Sequence, residues 1–333
     1  METDERDAVR HAVGRLLPGL AVMAAIAGGS HLVGAATPLS PLVVAVGVGM
    51  LIANTVGVPP VVRPGLDRHK LSLETGIVLL GARLSLGELA GVGPTVVLLA
   101  AAVVAFGVLY AEFLSRVVFD LRESVGSLLA AGASICGVSA VVAVAGSIDA
   151  SERDIAYAAA TVLLFDAVTL VAFPLAGELL ALSGETFGVW AGLSMFSTGP
   201  VAAAGFAHSD VAGQWATLTK LVRNAFIGVV VIGYSAVYSR GSTNLAAAWN
   251  RFPKFIAGFL LVVLLTNLGL VSQPQRATLG TLSDWLFLLA FAGLGFEVTV
   301  EGMVDAGVRP VLLVFVHLLT VSMLALAVVT VLV

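Results

Sequence analysis

The sequence predicts an all-α polytopic membrane protein with a single transporter domain, and three observations carry that prediction. Hydrophobic residues make up 59% of the 333 residues and charged residues 11%, against about 25% charged in ordinary soluble domains. A soluble domain covers its surface with polar groups, and this chain does not have enough of them. The apolar residues fall in continuous runs, mostly near the roughly 20 residues that a helix needs to cross about 30 Å of hydrocarbon. Cations gather at alternate ends of those runs, as the positive-inside rule requires. Barrel strands would read instead as about ten residues of alternating polarity. The composition therefore excludes a soluble enzyme, a disordered chain, a nucleic-acid binder and a disulfide-stapled scaffold. The net charge of -4 names no partner, and the single cysteine, Cys136, has no internal disulfide partner.

Taken in order, the polar residues 1–15 read as a cytoplasmic tail, and residues 16–333 as the transmembrane domain. Eleven apolar segments follow, at 16–35, 40–57, 71–89, 94–118, 123–147, 153–181, 186–207, 212–238, 253–271, 281–300 and 309–332. Breakers stand at many of the joins: Thr37-Pro38, Pro59-Pro60, Pro64-Gly65, Gly93-Pro94, Gly241-Ser242, Gln273-Pro274 and Arg309-Pro310. With eleven crossings and the N-terminus inside, twelve cations lie on the inner side: Arg6, Arg10, Arg15, Arg63, Arg68, Lys70, Arg116, Arg122, Arg240, Arg251, Lys254 and Arg309. Two, Arg153 and Arg276, lie outside. That places the chain in the cytoplasmic membrane with its C-terminus outside. The remaining cations, Arg83, Lys220 and Arg223, fall within predicted spans.

The sequence also echoes itself. Gly81-Ala-Arg-Leu-Ser-Leu followed by Gly91-Val-Gly-Pro94 resembles Gly295-Phe-Glu-Val-Thr-Val followed by Gly307-Val-Arg-Pro310. A second pair matches Ser134-Ile-Cys-Gly-Val-Ser-Ala with Ser194-Met-Phe-Ser-Thr-Gly-Pro. The offsets, about 214 and 60, cannot both mark one repeat, so an inverted repeat is expected on general transporter grounds with its boundary open.

Two segments read as interrupted helices that meet at mid-membrane. One runs from Gly126 to Ala140 and packs Ser134, Cys136, Gly137 and Ser139 among small residues; the other, Leu193 to Pro200, contains Ser194, Ser197 and Thr198. Glycine tolerates broken geometry and proline removes a donor. Irregular backbone at this depth survives only where protein buries it or it lines a wet cavity, and a half-helix N-terminus suits an anion. The ordinary alternative is close helix packing through small residues. Lys220, Arg223 and Asn224 share one helix face. Each cation at a helix centre costs about 2.5–3.5 kcal/mol, so the pair needs either carboxylates, with Asp166 and Glu297 at hand, or a mobile anion. Arg83 and Glu297 occupy matching places in the first echo and read as an ion pair, a gate or a coupling group. Asp166 suits proton coupling or charge neutralisation. His317 reads as a hydrogen-bonded core histidine, Glu74 and Glu112 lie near span ends, and His31, His69 and His208 are expected in loops. No metal-ligand spacing, catalytic set or ATP-binding loop is present, so neither an enzyme nor a cofactor is expected.

Leu79-Leu-Gly-Ala-Arg-Leu-Ser-Leu86, Gly132-Ala-Ser-Ile-Cys-Gly-Val-Ser-Ala140, Phe187-Gly-Val-Trp-Ala-Gly192 and Ala216-Thr-Leu-Thr-Lys-Leu-Val-Arg-Asn224 together resemble the YeiH-type family, labelled sulfate exporters, from about Pro18 to the C-terminus. The resemblance implies the wider cation:proton antiporter and anion transporter superfamily, whose folds are inverted repeats with two broken, crossing helices. It brings no binding residues with it. Where that family shows a His-Asp pair after the Trp-Ala-Gly motif, this chain has Phe196 and Ser197, and Asp166 is a candidate replacement.

The expectation is a secondary transporter moving a small anion, sulfate by the family label, through alternating access. Ser134, Cys136, Gly137, Ser139, Ser194, Ser197, Thr198, Lys220, Arg223 and Asn224 would line the substrate path, and Asp166, Arg83 and Glu297 would couple or gate. A proton or sodium ion would couple transport, within a lipid bilayer and in a homodimer. The alternatives are a cation:proton antiporter and a non-transporting receptor or assembly subunit.

Overall fold

The computed structural model describes residues 2–37, 41–83, 86–148, 150–238, 254–297, 299 and 308–332. Among the described residues every regular element is helical. The chain forms α1 (Glu2–Ala36), α2 (Pro41–Thr55), α3 (Arg63–Leu66), α4 (His69–Leu80), α5 (Leu86–Phe113), α6 (Glu123–Ser134), α7 (Val138–Ala145) and α8 (Glu152–Leu179). It continues with α9 (Gly184–Ser194), α10 (Thr198–His208), α11 (Asp210–Ala225), α12 (Ile227–Tyr238), α13 (Lys254–Asn267), α14 (Gln273–Gly295) and α15 (Val308–Leu332). Among the described residues six stretches are long and apolar enough to cross a membrane: Gly14–Ala36, Gly93–Val118, Glu152–Leu179, Asp210–Tyr238, Gln273–Gly295 and Val308–Leu332. The chain is thus a multi-pass membrane protein. Arg240, Arg251 and the echo residue Gly307 lie outside the described residues.

The helices divide between two compact units, Met1–Leu84 with Ala257–Val300 and Ser85–Ile256 with Glu301–Val333. The first unit is tied together by glycine contacts. A Cβ on Gly49 would lie 2.5 Å from the Ala292 carbonyl oxygen, and one on Gly295 would lie 2.3 Å from that of Val46, so α2 and α14 touch backbone to backbone. Ser272 and Gln275 form a capping box that starts α14. Ser283 donates to the Gly76 carbonyl at 2.7 Å and holds α14 against α4.

In the second unit, Ser151, Ser183 and Ser209 cap α8, α9 and α11 by accepting the backbone N–H of Asp154, Thr186 and Ala212. Each is followed by an acid in the first turn, which the helix dipole favours. Between these starts the chain departs from the expected crossings. Unbroken helix over 123–147 would carry its ends about 35 Å apart. Instead the chain reverses at Ile135–Gly137: a Cβ on Gly132 would lie 2.8 Å from the Val141 side chain. Arg122 and Ser124, at the head of α6, both reach Asp154 at the head of α8, at 2.5 and 2.9 Å. The predicted span 186–207 reverses in the same way at Met195–Ser197. The Phe187 and His208 rings stack at 4.2 Å, where continuous helix would separate them by about 31 Å, and His208 Nε2 lies 3.1 Å from the Leu182 carbonyl.

Both expected crossings are therefore helical hairpins, α6–α7 and α9–α10. Neither traverses the unit, because each breaks and folds back on itself. Gly137 makes the first reversal with φ 71° and ψ -139°, backbone space that L side chains rarely enter. The two tips meet, since a Cβ on Gly137 would fall 2.0 Å from Ser197 Oγ. Around them α5, α8, α11–α12 and α15 complete the unit, fastened by Tyr110 to Thr320 at 3.2 Å and by Trp190 Nε1 donating to the Ser322 carbonyl at 3.0 Å.

Candidate functional site

Small residues let α11 reach the hairpin tips. A Cβ on Gly188 or Gly192 would collide with the backbone of Ala212 or Ala216, so α9 and α11 lie in close contact. That contact brings Lys220 and Arg223, both fully buried, under the two reversals. Lys220 Nζ donates to the carbonyls of Ile135 at 2.6 Å and Met195 at 3.1 Å. Arg223 donates through Nε to Ser134 at 2.8 Å, through Nη2 to Ala133 at 2.7 Å, and through Nη1 to Met195 at 2.7 Å and Gly192 at 3.4 Å. These carbonyls close α6 and α9, whose C-terminal ends each carry about half a negative charge. The two cations thus bind the orphan carbonyls of both hairpins at once. The sequence placed them as direct substrate ligands; the structure commits most of their donors to the backbone, because a half-helix ending inside protein has no water to satisfy its last carbonyls.

The opposite arms begin with N-terminal ends, and here the hairpins differ. Asp166, on α8, accepts the Ser197 N–H at 2.9 Å and the Ser197 hydroxyl, so a carboxylate closes the start of α10. Asn224 Nδ2 donates to Thr198 Oγ1 at 3.0 Å on the same turn. The start of α7 has no side-chain cap, and Ser139 in its first turn is exposed. Ser134 Oγ lies 3.4 Å from His317 Nε2, which is also 3.1 Å from the Gly107 carbonyl; His317 is a buried, hydrogen-bonded core histidine. Cys136 is a buried free thiol at the α6–α7 tip. Ser194 Oγ, Thr217 Oγ1, Thr219 Oγ1 and Asn224 Oδ1 are buried without a hydrogen-bond partner among the described residues, a concentration of unsatisfied groups on the helices that build the tips.

Ten of the sequence-selected residues therefore gather at one place, with Asp166 beside them. Arg83 and Glu297 do not pair with each other. In the first unit Arg83 makes a forked pair with Asp284 at 2.8 and 2.6 Å, and Glu297 meets Lys70 at 2.9 Å and His69 at 3.6 Å. Equivalent places in an echo carry no distance information, and Asp284 lies nearer in space than the residue the echo selected. His31, His69 and His208 stand in α1, α4 and α10 rather than in loops. Sequence reading missed a network at one end of the second unit, where Glu112 accepts from Tyr234 at 2.7 Å and Arg116 at 2.8 Å, and Tyr238 joins Arg116, Ser127 and Glu123. The signal was available in the four-residue spacings Glu112/Arg116 and Tyr234/Tyr238. Among the described residues no three His, Cys, Asp or Glu side chains group to hold a metal ion.

The family described as conserved hypothetical protein 698 matches residues 18–314. A UPF0324 membrane protein of Nitratidesulfovibrio vulgaris is 34% identical over 90% of this chain and 88% of its own length. The UPF0324 inner membrane protein YeiH of Escherichia coli is 30% identical over 90% and 89%, and the UPF0324 membrane protein TauZ of Paracoccus denitrificans is 34% identical over 73% of each chain. No solved structure matches. Matched along nearly its whole length, with motifs that fall on the hairpin tips and the cation pair, the chain belongs to the conserved hypothetical protein 698 family, the YeiH-type membrane proteins.

Proposed function

We propose that this protein is a secondary transporter of a small anion, with the meeting point of the two hairpin tips as its site. One observation carries the reading: at that point two fully buried cations, Lys220 and Arg223, stand against one buried carboxylate, Asp166. The four half-helix ends, two of each sign, offset one another, so with Lys220 and Arg223 both protonated the tips would hold an excess of about one positive charge, which an anion would balance in a low-dielectric place where an unpaired charge is costly. A cation carrier needs the opposite excess. The anion binds at the uncapped start of α7, through the amides of Val138 and Ser139 and the Ser139 hydroxyl, while Asp166 occupies the corresponding place on α10. Lys220 and Arg223 hold the tips and set the potential.

The arrangement supports alternating access through an inverted repeat. Hairpin α6–α7 with α8 (123–179) and hairpin α9–α10 with α11–α12 (184–238) follow the same order. Their offset, near 60, is that of the echo between Ser134 and Ser194. Asp166 and Asn224 each stand fifteen residues after a capping serine, Ser151 and Ser209. In this reading α6–α7 enters from the cytoplasmic side and α9–α10 from the opposite side. Nine crossings then remain of the eleven expected, the ends keep their sides, and only Arg153 changes side, so that the cation ratio moves from twelve to two to thirteen to one.

Protein reconstituted in liposomes exchanges labelled sulfate, or a sulfonate or carboxylate that competes with it, and the transported anion raises the melting temperature of the purified protein. Cation flux driven by a proton gradient, with no response to any anion, would replace this reading with a cation:proton antiporter.

A further inference from the structure

Away from the hairpin tips, at the end of the second unit where α6, α8 and α15 begin, a pocket of about 420 Å³ opens between their first turns. Three guanidiniums line it, from Arg122, Arg153 and Arg309, against the single carboxylate of Asp120. Arg122 is engaged by Asp154 at 2.5 Å, while Arg153 and Arg309 have no ion pair among the described residues. The first turn of α6 has no side-chain cap, and its one acid, Glu123, is engaged by Arg116 at 2.9 Å. Tyr157 adds a hydroxyl, and the buried side chain of Val125 makes an apolar floor. The mouth is apolar at Val308, which is 75% exposed, and the chain leading into Asp120 carries exposed Val117 and Val118. A site for a soluble ion has no use for such a rim, whereas at the level where a bilayer's headgroups meet its acyl chains the same rim faces lipid.

We infer that this pocket binds the phosphate of an anionic phospholipid headgroup, its arginines clasping the phosphate oxygens and its rim meeting the upper acyl chain. Basic pockets between membrane helices on the cytoplasmic side take such headgroups, and Arg122, Arg153 and Arg309 are three of the thirteen cations assigned to that side. The inference rests on the sidedness proposed above but not on anion transport, because the pocket shares no residue with the hairpin tips.

The test uses full-length protein stripped of lipid in an uncharged detergent, with melting temperature read against added phosphatidylglycerol, cardiolipin or phosphatidylcholine. The two anionic lipids are expected to raise the melting temperature and phosphatidylcholine to leave it unchanged. Arg153→Gln and Arg309→Gln, at exposed positions, are expected to melt like the parent without lipid. Each variant should need about fivefold more anionic lipid for the same shift, the loss that ~1 kcal/mol per basic side chain at an anionic surface corresponds to. Equal responses of parent and variants, or an equal response to phosphatidylcholine, overturns the inference. Stabilisation by inorganic phosphate without any by anionic lipid also overturns it and assigns the pocket to a soluble phosphate compound.

Discussion

The two hairpins are built alike and finished differently. In both, a first arm ends in carbonyls that Lys220 and Arg223 hold from below. In α9–α10 the second arm starts on Asp166 and Asn224, and Gly199 to Gly205 are buried along its length. In α6–α7 the second arm starts without a cap, and Ser139 and Val142 are exposed. An internal carboxylate closes one tip, while the other keeps its amides open. A helix N-terminus attracts an anion wherever it is formed, so under the proposed transport reading the fixed carboxylate of Asp166 on α10 would leave the start of α7 as the end that takes a mobile anion.

Sidedness tests the comparison most severely, because its outcome is all or none. Single cysteines at the two ends of α6–α7, positions 122 and 147, are expected to label from one face of the membrane, and those at positions 183 and 209 from the other. Labelling of 122 and 147 from opposite faces would restore the crossing that the sequence suggested. Next in size is Arg223→Gln. It strands the carbonyls of Ala133, Ser134 and Gly192 and leaves Met195 to Lys220 alone, at about 1–3 kcal/mol for each buried group left unpaired. Both tips should loosen together, with a total loss above about 3 kcal/mol and melting far below the parent in detergent; a variant that melts normally would show that the cations do not hold the tips.

Asp166→Ala makes the hairpins alike by opening α10. Without anion it should cost about 3 kcal/mol, since hydrogen bonds to a charged group contribute about 1.5–3 kcal/mol each. Added sulfate should then recover more stability than it adds to the parent, and a flat sulfate response would mean that this end does not accept anions. Gly137→Ala tests the other reversal. Its Cβ meets Ser197 Oγ at 2.0 Å on backbone with φ 71°, so about 1–3 kcal/mol of backbone strain adds to the collision and the melting temperature falls. The smallest structural effect belongs to Ser139→Ala, within about 0.5 kcal/mol for an exposed position. Losing one hydroxyl donor should nonetheless weaken anion affinity about three- to tenfold, so unchanged affinity would move the anion elsewhere.

Much of the site was legible in the chain. Charges within apolar runs are costly enough that Lys220, Arg223 and Asp166 declare themselves without a structure, and Gly137, Ser197 and Pro200 mark where helices break. The small-residue echo between Ser134 and Ser194 registered as a weak signal because it was weighed against the unrelated likeness around Arg83 and Glu297. The structure shows that the Ser134/Ser194 echo joins two hairpin tips, whereas Arg83 pairs with Asp284 and Glu297 with Lys70.

The sequence by itself determined that the protein lives in a membrane, that its elements are helices, and which polar residues lie inside. Hydrophobicity, the rise per residue and the cost of burying charge act on each segment separately, so composition suffices for them. Tertiary structure alone decided whether an apolar run crosses or folds back, and which group each buried charge meets. A run of 25 apolar residues has the same hydropathy in both cases. The difference lies in a three-residue reversal, in the contact of Phe187 with His208 and in that of Arg122 with Asp154. The same holds for Lys220 and Arg223, whose cost of burial is written in the chain, while their partners are backbone carbonyls, which every residue carries and no sequence pattern distinguishes.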